Sequence, residues 1–281
     1  MDQAENLRKI LLEKKTKKSR VLIITGGKGG IGKTFISINL SLALRKLGFK
    51  VTIIDADLGF SNVEIELGLM PKYTLYDVIY NNRTIAEVIN EGPLGINYIS
   101  SGGDFNLVSN AEINLGIFLS NIKLLDYYSD FVIVDTGAGL NNVVKSFLEA
   151  GNEVFVIVTP EPTSIMDAYT LIKYSFKNND KKINIIINKA KNFEEYREVY
   201  NRFDSVVKNY LGINVYDIGY LEYDYKIMEC IKEQKPIILK YENSKTSKSF
   251  MAMAAKIADR PFDVESGGVF SFFNKLFKRG I

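Results

Sequence analysis

The stretch TGGKGGIGKT, residues 25–34, decides how this chain folds. It satisfies the phosphate-loop pattern G-x-x-x-x-G-K-[ST] through Gly27, Gly32, Lys33 and Thr34. An apolar run precedes it and an amphipathic stretch follows it, so the glycines lie between a predicted strand and a predicted helix. In that context glycines let backbone N–H groups turn inward, and the helix N-terminus adds favourable partial charge for an anion. The sequence therefore predicts a phosphate-binding loop.

Around this loop, short apolar runs alternate with amphipathic stretches. Runs such as FVIV and INIII are nearly continuous in apolar residues, which is typical of strands buried on both faces. Strands that alternate with helices predict an α/β fold with a mostly parallel central β-sheet flanked by helices. The predicted strands are Val21–Thr25, Val51–Asp55, Ile96–Ser100, Phe131–Asp135, Val154–Thr159, Ile183–Asn188 and Val215–Ile218. The predicted helices are Phe35–Leu47, Ala111–Leu125, Asn142–Glu149, Thr163–Phe176, Glu194–Tyr210 and Ser247–Ala258.

The two ends of the chain differ from this body. A charged linker, KKTKKSR at 14–20, follows a short helical segment, and a second linker, DVESGG at 263–268, precedes another. We expect one domain at residues 20–261, an N-terminal extension at 1–19 and a C-terminal extension at 262–281.

Composition excludes several kinds of chemistry. The chain has no histidine, which removes Ser-His-Asp triads and histidine metal sites, and Cys230 is its one cysteine. A lone cysteine excludes a disulfide framework and indicates a reducing compartment. No apolar run approaches the ~18 residues that span a bilayer, and the N-terminus is too charged for a secretory signal. We therefore expect a cytoplasmic protein.

Charge is unevenly distributed along the chain. Residues 1–20 carry +4 and residues 266–281 carry +3, so a total of +3 leaves −4 for the stretch between them. The body is mildly acidic, which does not favour a broad nucleic-acid-binding face.

Several side chains at predicted strand ends suit a nucleotide site. Lys33 is expected to reach the terminal phosphates, and the Thr34 hydroxyl to bind Mg²⁺. Asp55 and Asp57 follow one strand, and Asp135 ends another in a Walker B arrangement that can hold Mg²⁺ through water. Strand-end aspartates can also simply cap helices or turns, and this alternative stays open for Asp55.

The segment KGGIGKT resembles the deviant Walker A signature of the MinD/ParA class of P-loop ATPases, and the resemblance extends over roughly residues 20–260. It implies ATP and Mg²⁺ as cofactors and an ATP-dependent homodimer. It also implies that Lys28 crosses to the partner's phosphates while Lys33 acts within its own subunit. By the same resemblance Asp57 positions the attacking water, and Asp55 and Asp135 lie on the Mg²⁺ side. The complete set expected at the metal is Thr34, Asp55, Asp57 and Asp135.

The resemblance also implies a base pocket. INKA at the end of the Ile183 strand is similar to the family's base-recognition turn, with Asn188 bonding adenine. GYLEYD resembles the family segment G-x-I-P-x-D, with Glu222 in place of proline and Asp224 at the second wall of the pocket. The complete set expected to bind nucleotide is Gly27, Lys28, Gly29, Gly30, Ile31, Gly32, Lys33, Thr34, Phe35, Gly139, Asn188 and Asp224.

The last segment, VFSFFNKLFKR at 269–279, is amphipathic when placed on a helix. Its length of ~16 Å is about half of a bilayer core, so it can lie in an anionic membrane surface but cannot cross it. Docking on its own core is the alternative, and both can hold in different nucleotide states. Its apolar residues are Val269, Phe270, Phe272, Phe273, Leu276 and Phe277, and its cations include Lys275 and Lys278.

The N-terminal segment DQAENLR resembles the D-Q-A-x-x-L-R motif of the FlhG family, MinD-like ATPases that regulate flagellar number. The resemblance implies that Asp2, Gln3, Ala4, Leu7 and Arg8 bind and stimulate FlhF, a signal-recognition-type GTPase, and that basal-body components are further partners. TPEPTSIMDAYTLIK at 159–173 is similar to a stretch of the same family. One interpretation places Asp167 and Lys173 on a face where effectors dock; the plainer one is that Thr163 or Ser164 caps the helix in it.

Three rival functions share parts of this pattern. A ParA-type DNA partition ATPase would need a basic body, and a MinD-type division-site regulator differs mainly in lacking the N-terminal motif. An iron–sulfur reductase would need paired cluster cysteines, which lone Cys230 excludes.

Overall fold

The computed structural model describes residues 18–57, 60–102, 124–176 and 181–259. The N-terminal motif, the C-terminal segment and most of the predicted helix Ala111–Leu125 lie outside them. Eight strands form one sheet in the order β3-β4-β2-β5-β1-β6-β7-β8, and all neighbours are parallel except β3 and β4. The strands are β1 (Arg20–Thr25), β2 (Val51–Ala56), β3 (Asn90–Glu91), β4 (Asn97–Ile99), β5 (Phe131–Thr136), β6 (Glu153–Val158), β7 (Lys182–Ala190) and β8 (Tyr216–Glu222).

Helices cover both faces of this sheet. One layer contains α1 (Lys33–Lys46), α2 (Asn62–Leu67), α9 (Tyr225–Lys232), α10 (Ile237–Lys240) and α11 (Lys245–Ala258). The other contains α3 (Leu75–Tyr80), α4 (Ile85–Val88), α5 (Leu125–Tyr128), α6 (Asn142–Ala150), α7 (Pro162–Ser175) and α8 (Phe193–Leu211). The predicted α/β fold with a mostly parallel sheet is confirmed. In the part of the chain that the structure describes, no helix is both long and apolar enough to cross a bilayer.

The burial of the central strands on both faces explains why their sequences are continuously apolar. Every residue of β1, β2, β5 and β6 is buried, because helices pack on both faces of these strands. Ile24 pairs with Asp135, and Asp55 also pairs with Asp135, so the carboxyl ends of three adjacent strands lie level. In open α/β sheets ligands bind at this edge. The fold therefore brings the phosphate loop and the strand-end acids together.

The differences from the predicted elements have local causes. Strand β8 continues past Ile218 to Glu222, and its pairing with β7 shifts by one residue at Ile218, between Asp217 and Gly219. The short helices α2, α3, α4, α9 and α10 have four to eight residues, too few for a clear 3.6-residue period. Capping boxes from Thr74 with Asp77 and from Thr84 with Glu87 begin two of them.

At the amino end of β1, Arg20 joins three elements. Its side chain is bonded to both carboxylate oxygens of Glu153 at 2.9 and 2.7 Å, and it donates to the Ile257 carbonyl near the end of α11. Both side chains of the ion pair are at most 8% exposed. Arg20 and Ile257 therefore lie close together, at the end of the sheet opposite the phosphate loop.

Candidate nucleotide-binding site

The phosphate loop joins the end of β1 to the start of α1. Gly30 has φ of 72° and Gly32 has φ of 95°, both in the left-handed region that favours glycine. A Cβ on Gly32 would lie 2.5 Å from the Asn188 amide nitrogen, so this position also lacks room for a side chain. The glycines of the motif are therefore required by backbone conformation and by packing.

Three side chains, one from α1 and two from the end of β7, hold the carbonyl groups of this loop. Lys33 Nζ donates to the Lys28 carbonyl at 3.2 Å, and Asn188 Nδ2 donates to the Ile31 carbonyl at 2.7 Å. Lys189 Nζ donates to the Gly30 carbonyl at 2.8 Å. Carbonyls that are engaged by side chains leave the loop's N–H groups for an anion, which is the arrangement that binds phosphate.

A hydroxyl–carboxylate cluster lies at the start of α1. Thr34 Oγ1 donates to Asp135 Oδ2 at 2.7 Å, and Ser37 Oγ donates to Asp135 Oδ1 at 2.9 Å. Asp135 is 1% exposed. Burial raises the pKa of its carboxyl to about 6, although the two hydroxyl donors oppose the shift. A hydroxyl and a carboxylate beside a phosphate loop are oxygen ligands of the kind that Mg²⁺ prefers, so these residues fit that cation.

Asp55 has a structural position. Its Oδ2 accepts hydrogen bonds from the backbone N–H groups of Asn62 and Val63 at 2.7 and 3.0 Å, and its Oδ1 accepts from Asp57 N at 3.0 Å. From its position in β2, Asp55 thus caps the N-terminus of α2. Burial raises its pKa well above the usual value, with the nearby Asp135 charge adding to the shift.

Asp57 lies between the loop and α2. Asn62 Nδ2 donates to its Oδ2 at 3.2 Å, and Ser101 Oγ donates to its backbone carbonyl at 3.2 Å. A Cβ on Gly137, just after β5, would be 3.2 Å from Asp57 Oδ1. The carboxylate therefore faces the backbone that follows Asp135, at the carboxyl edge of the sheet.

The two lysines of the loop have different environments. Lys33 is 9% exposed, and burial lowers its pKa while the charges of Asp135 and Asp57 act in the opposite direction. Lys28 is half-buried at the rim, where its ammonium contacts the Thr163 hydroxyl on α7. One lysine is thus held inside the site and the other lies at its edge.

Helix α7 packs directly on the first half of the loop. A Cβ on Gly27 would lie 2.1 Å from the Cβ of Asp167, so only glycine fits there. The prediction that Thr163 or Ser164 caps this helix is wrong. Its N-cap is Glu161 without a side-chain cap bond, and Ser164 Oγ instead accepts from the Thr159 N–H before the helix.

The residues expected around the base lie at the ends of β7 and β8. Asn188 is 3% exposed, and its Oδ1 accepts from Lys189 N at 2.9 Å. Asp224 caps α9 through Lys226 N and also accepts from the Thr246 hydroxyl, both at 3.0 Å. Glu222, at the proline position, pairs with Lys245. Asn188 therefore contacts the phosphate loop, whereas Asp224 contacts α9 and α11.

Three residues near the site were not predicted from the sequence. Asn62 bonds Asp57, and Lys189 bonds the loop. Glu66 on α2 has its pKa raised to about 8 by burial and by the Asp135 charge. Only Lys189 had a sequence signal, since it follows Asn188 directly at a strand end.

Comparisons with known proteins agree with this geometry. The model of the CobQ/CobB/MinD/ParA nucleotide binding domain matches residues 22–237. The chain is 34% identical over 256 residues to the antiactivator FleN of Pseudomonas aeruginosa, covering 90% of this chain and 91% of FleN. It is 31% identical to the flagellum site-determining protein YlxH of Helicobacter pylori, covering 92% of this chain and 90% of YlxH. The structure of MinD from Pyrococcus horikoshii complexed with Mg-ADP is 25% identical, has a TM-score of 0.71, and covers 86% of this chain and 96% of that one.

Proposed function

Since this chain belongs to the MinD/ParA family of nucleotide-binding proteins and to its FlhG branch, we propose that it is an ATP-driven switch that sets the number and placement of flagella. It is an ATPase. The observation that carries the proposal is the pair of lysines in one phosphate loop, with Lys33 buried in the site and Lys28 at the rim. One cation serves the bound nucleotide, and the other is placed to serve a partner's.

ATP binds with its phosphates against the N–H groups between Gly29 and Thr34. The space around Gly29 and Gly30 is open, since a Cβ on either would meet nothing within 4 Å. The Thr34 hydroxyl and the Asp135 carboxylate would hold Mg²⁺, which when bound neutralises charge on the phosphate oxygens. Asp55 was expected beside them, and we assign it the task of fixing α2 and Asp57 through its three N–H donors.

Hydrolysis needs a positioned water and cations at the γ-phosphate. Asp57 positions the attacking water, and Asn62 and the backbone after Asp135 keep its carboxylate in place. Lys33 gives up its bond to the Lys28 carbonyl and reaches the terminal phosphates. Cations placed where charge develops stabilise the transition state, so a second lysine from another subunit would accelerate the reaction further.

Lys28 is the residue that links hydrolysis to dimerisation. In the monomer its ammonium contacts the exposed Thr163 hydroxyl. An exposed contact of this kind contributes little, so exchanging it for the phosphates of a second subunit is favourable. ATP therefore brings two copies face to face, and hydrolysis separates them. The base pocket of each copy uses Asn188 and, with Glu222 in place of proline, the region of Asp224.

The extension at 262–281 targets the dimer to the membrane. Six apolar side chains contribute several kcal/mol on partial insertion, given roughly 1.5–3 for each full burial, and each cation near anionic lipid adds about 1. One copy is too weak for permanent attachment, whereas a dimer presents two. The protein therefore moves reversibly between the cytoplasm and the inner face of the cell membrane.

The extension at 1–19 gives the switch its output. Its motif, with Asp2, Gln3, Ala4, Leu7 and Arg8, stimulates an FlhF-like GTPase, and the ATP-bound dimer engages flagellar basal-body components. The relatives support a role in flagellation, since one is described as an antiactivator and the other as a flagellum site-determining protein. The ATPase cycle of the domain at 20–261 thus controls when the two extensions bind the membrane and partner proteins.

The first test is co-sedimentation with anionic liposomes in ATP and in ADP. We expect the full chain to bind in ATP and a chain ending at Glu265 not to bind. The double variant F272E/F273E should lose binding, while S271E/N274E, which adds the same charge to the polar face, should keep most of it. Equal binding in ATP and ADP would show that membrane binding does not depend on the bound nucleotide, which would contradict the proposal.

A second measurement addresses the output. Deleting residues 1–19 should abolish stimulation of an FlhF-like GTPase and leave ATP hydrolysis and liposome binding intact. If stimulation of the GTPase survives the deletion, residues 1–19 are not the stimulating motif. That result would favour a MinD-type division-site regulator over a flagellar one. DNA binding at physiological salt would instead favour a partition ATPase.

A further inference from the structure

Lys189 has an unusual backbone conformation for its residue type. It lies near the end of β7 with φ of 61°, in the left-handed region that lysine seldom adopts. The pairing of β7 with β8 is irregular between Ile187 and Ala190, so the strand is bulged at this point. Bulges next to functional sites re-aim side chains. Asn188 and Lys189 are therefore turned out of the strand pattern and toward the phosphate loop.

The two residues hold consecutive carbonyl groups of that loop. Asn188 Nδ2 donates to Ile31 O at 2.7 Å, and Lys189 Nζ donates to Gly30 O at 2.8 Å. They are also bonded to each other, since Lys189 N donates to Asn188 Oδ1 at 2.9 Å. The bulged end of β7 thus binds the second half of the loop as a unit.

The tip of the loop has little other support. Gly29 and Gly30 are exposed, and a side chain built on either would meet nothing within 4 Å. A left-handed glycine without packing can rotate at little cost and can carry its carbonyl into the phosphate site. Lys189 opposes this rotation because its ammonium keeps the Gly30 carbonyl on the outer side.

We propose that Lys189 is a positioning residue that fixes the tip of the phosphate loop in its anion-binding form before nucleotide arrives. The inference rests on the proposed ATPase site and extends it. Binding of the triphosphate depends on a side chain at the end of β7, next to Asn188, the residue expected to bind the base. It acts on the phosphates and not on the base, so every triphosphate should be affected alike. Preorganisation of this kind lowers the cost of binding without changing the chemical step.

The test compares four variants in steady-state ATP hydrolysis. K189M should raise KM for ATP about fivefold, the factor that corresponds to a hydrogen bond of about 1 kcal/mol, with kcat within about twofold of the unchanged protein. K189R should recover most of the affinity. K189G removes the ammonium and also relieves the left-handed strain, and it should be as impaired as K189M. K191M is the matched control, because Lys191 lies just after β7, two residues from Lys189, and pairs only loosely with Glu195 at 3.7 Å.

Inorganic triphosphate with Mg²⁺ then identifies what Lys189 acts on. Its inhibition constant against ATP hydrolysis should rise in K189M by the same factor as KM. An unchanged KM in K189M would overturn the inference, and so would a K189G variant that behaves like the unchanged protein. Weaker ATP binding with unaltered inhibition by triphosphate would assign Lys189 to the base instead and also overturn it. If the unchanged protein hydrolyses no ATP, the proposed function itself fails.

Discussion

Replacing Asp135 with asparagine should stabilise the nucleotide-free protein at pH 8 and abolish its Mg²⁺-dependent ATP hydrolysis. Burial raises the pKa of this carboxyl to about 6 from an ordinary 3.8. Because the folded protein then holds the proton more tightly than the unfolded chain does, the favourable contribution is complete below about pH 4. It is lost as the pH rises through 6. Roughly two pKa units correspond to on the order of 3 kcal/mol.

Two neighbouring effects set the net change. An asparagine cannot accept from both Thr34 and Ser37 as the carboxylate does, which costs about 1 kcal/mol. In the other direction, D135N removes a charge that also raises the pKa values of Asp55 and Glu66. At pH 5 about half of the ~3 kcal/mol is already lost, so we expect D135N to gain about 2 kcal/mol in the free energy of unfolding at pH 8 but only about 0.5 kcal/mol at pH 5.

The assay is urea unfolding at pH 5 and pH 8 in EDTA without nucleotide, alongside ATP hydrolysis with Mg²⁺. E198Q is the control, since Glu198 is an exposed acid on α8. The reasoning is refuted if D135N and the unchanged protein lose stability equally between pH 5 and pH 8. If D135N keeps its Mg²⁺-dependent activity, Asp135 is not a residue of the metal site.

Three further changes separate the parts of the molecule. K28A should bind ATP within a few-fold of normal but stay monomeric by light scattering, with hydrolysis reduced on the order of 100-fold; dimers in ATP would contradict its role between subunits. D57N should slow hydrolysis by a similar order while ATP-bound dimers and liposome binding persist; rapid turnover would exclude Asp57 as the water-positioning residue. R20M should lower the free energy of unfolding by about 3–5 kcal/mol, because it leaves Glu153 buried without its partner, and R20M/E153M should recover most of the loss. Both should leave KM for ATP unchanged, since the pair lies at the opposite end of the sheet, and a large rise in KM would show long-range coupling.

The phosphate loop and the strands could be predicted because their signals are local. A glycine pattern between an apolar run and an amphipathic stretch has one structural solution, and strands buried on both faces are apolar throughout. Asp55 shows where local signals end. A strand-end aspartate fits a metal site and a helix cap equally well in sequence, and only the position of α2 shows that Asp55 Oδ2 accepts the first two N–H groups of that helix. When a helix is capped by a side chain from a strand, the spacing between the two in the sequence is not fixed, so no sequence pattern reveals the cap.

The direction of a side chain at a strand end is a second limit. Asn188 and Lys189 follow an apolar run, so the sequence places them at the carboxyl edge of the sheet. Whether they face a base, a phosphate loop or solvent depends on the bulge between β7 and β8. That bulge arises from the pairing of segments about thirty residues apart in the chain. The sequence therefore shows that Lys189 is next to Asn188, but it does not predict the hydrogen bond from Lys189 to the Gly30 carbonyl.

The loop's two halves are held with unequal strength, and this difference bears on how the switch can work. The second half is bound by Asn188 and Lys189, and Lys33 is buried within the site. In the first half, Gly27 is fixed by close packing on α7, but Lys28 beyond it has only the exposed Thr163 hydroxyl as its side-chain partner among the described contacts. A rigid base at Gly27 lets the Lys28 side chain leave the rim without moving the backbone that binds phosphate. In the proposed dimer, a loop without these contacts would lose its own nucleotide when Lys28 moved, and a Lys28 side chain held as firmly as Lys33 could not reach a second subunit.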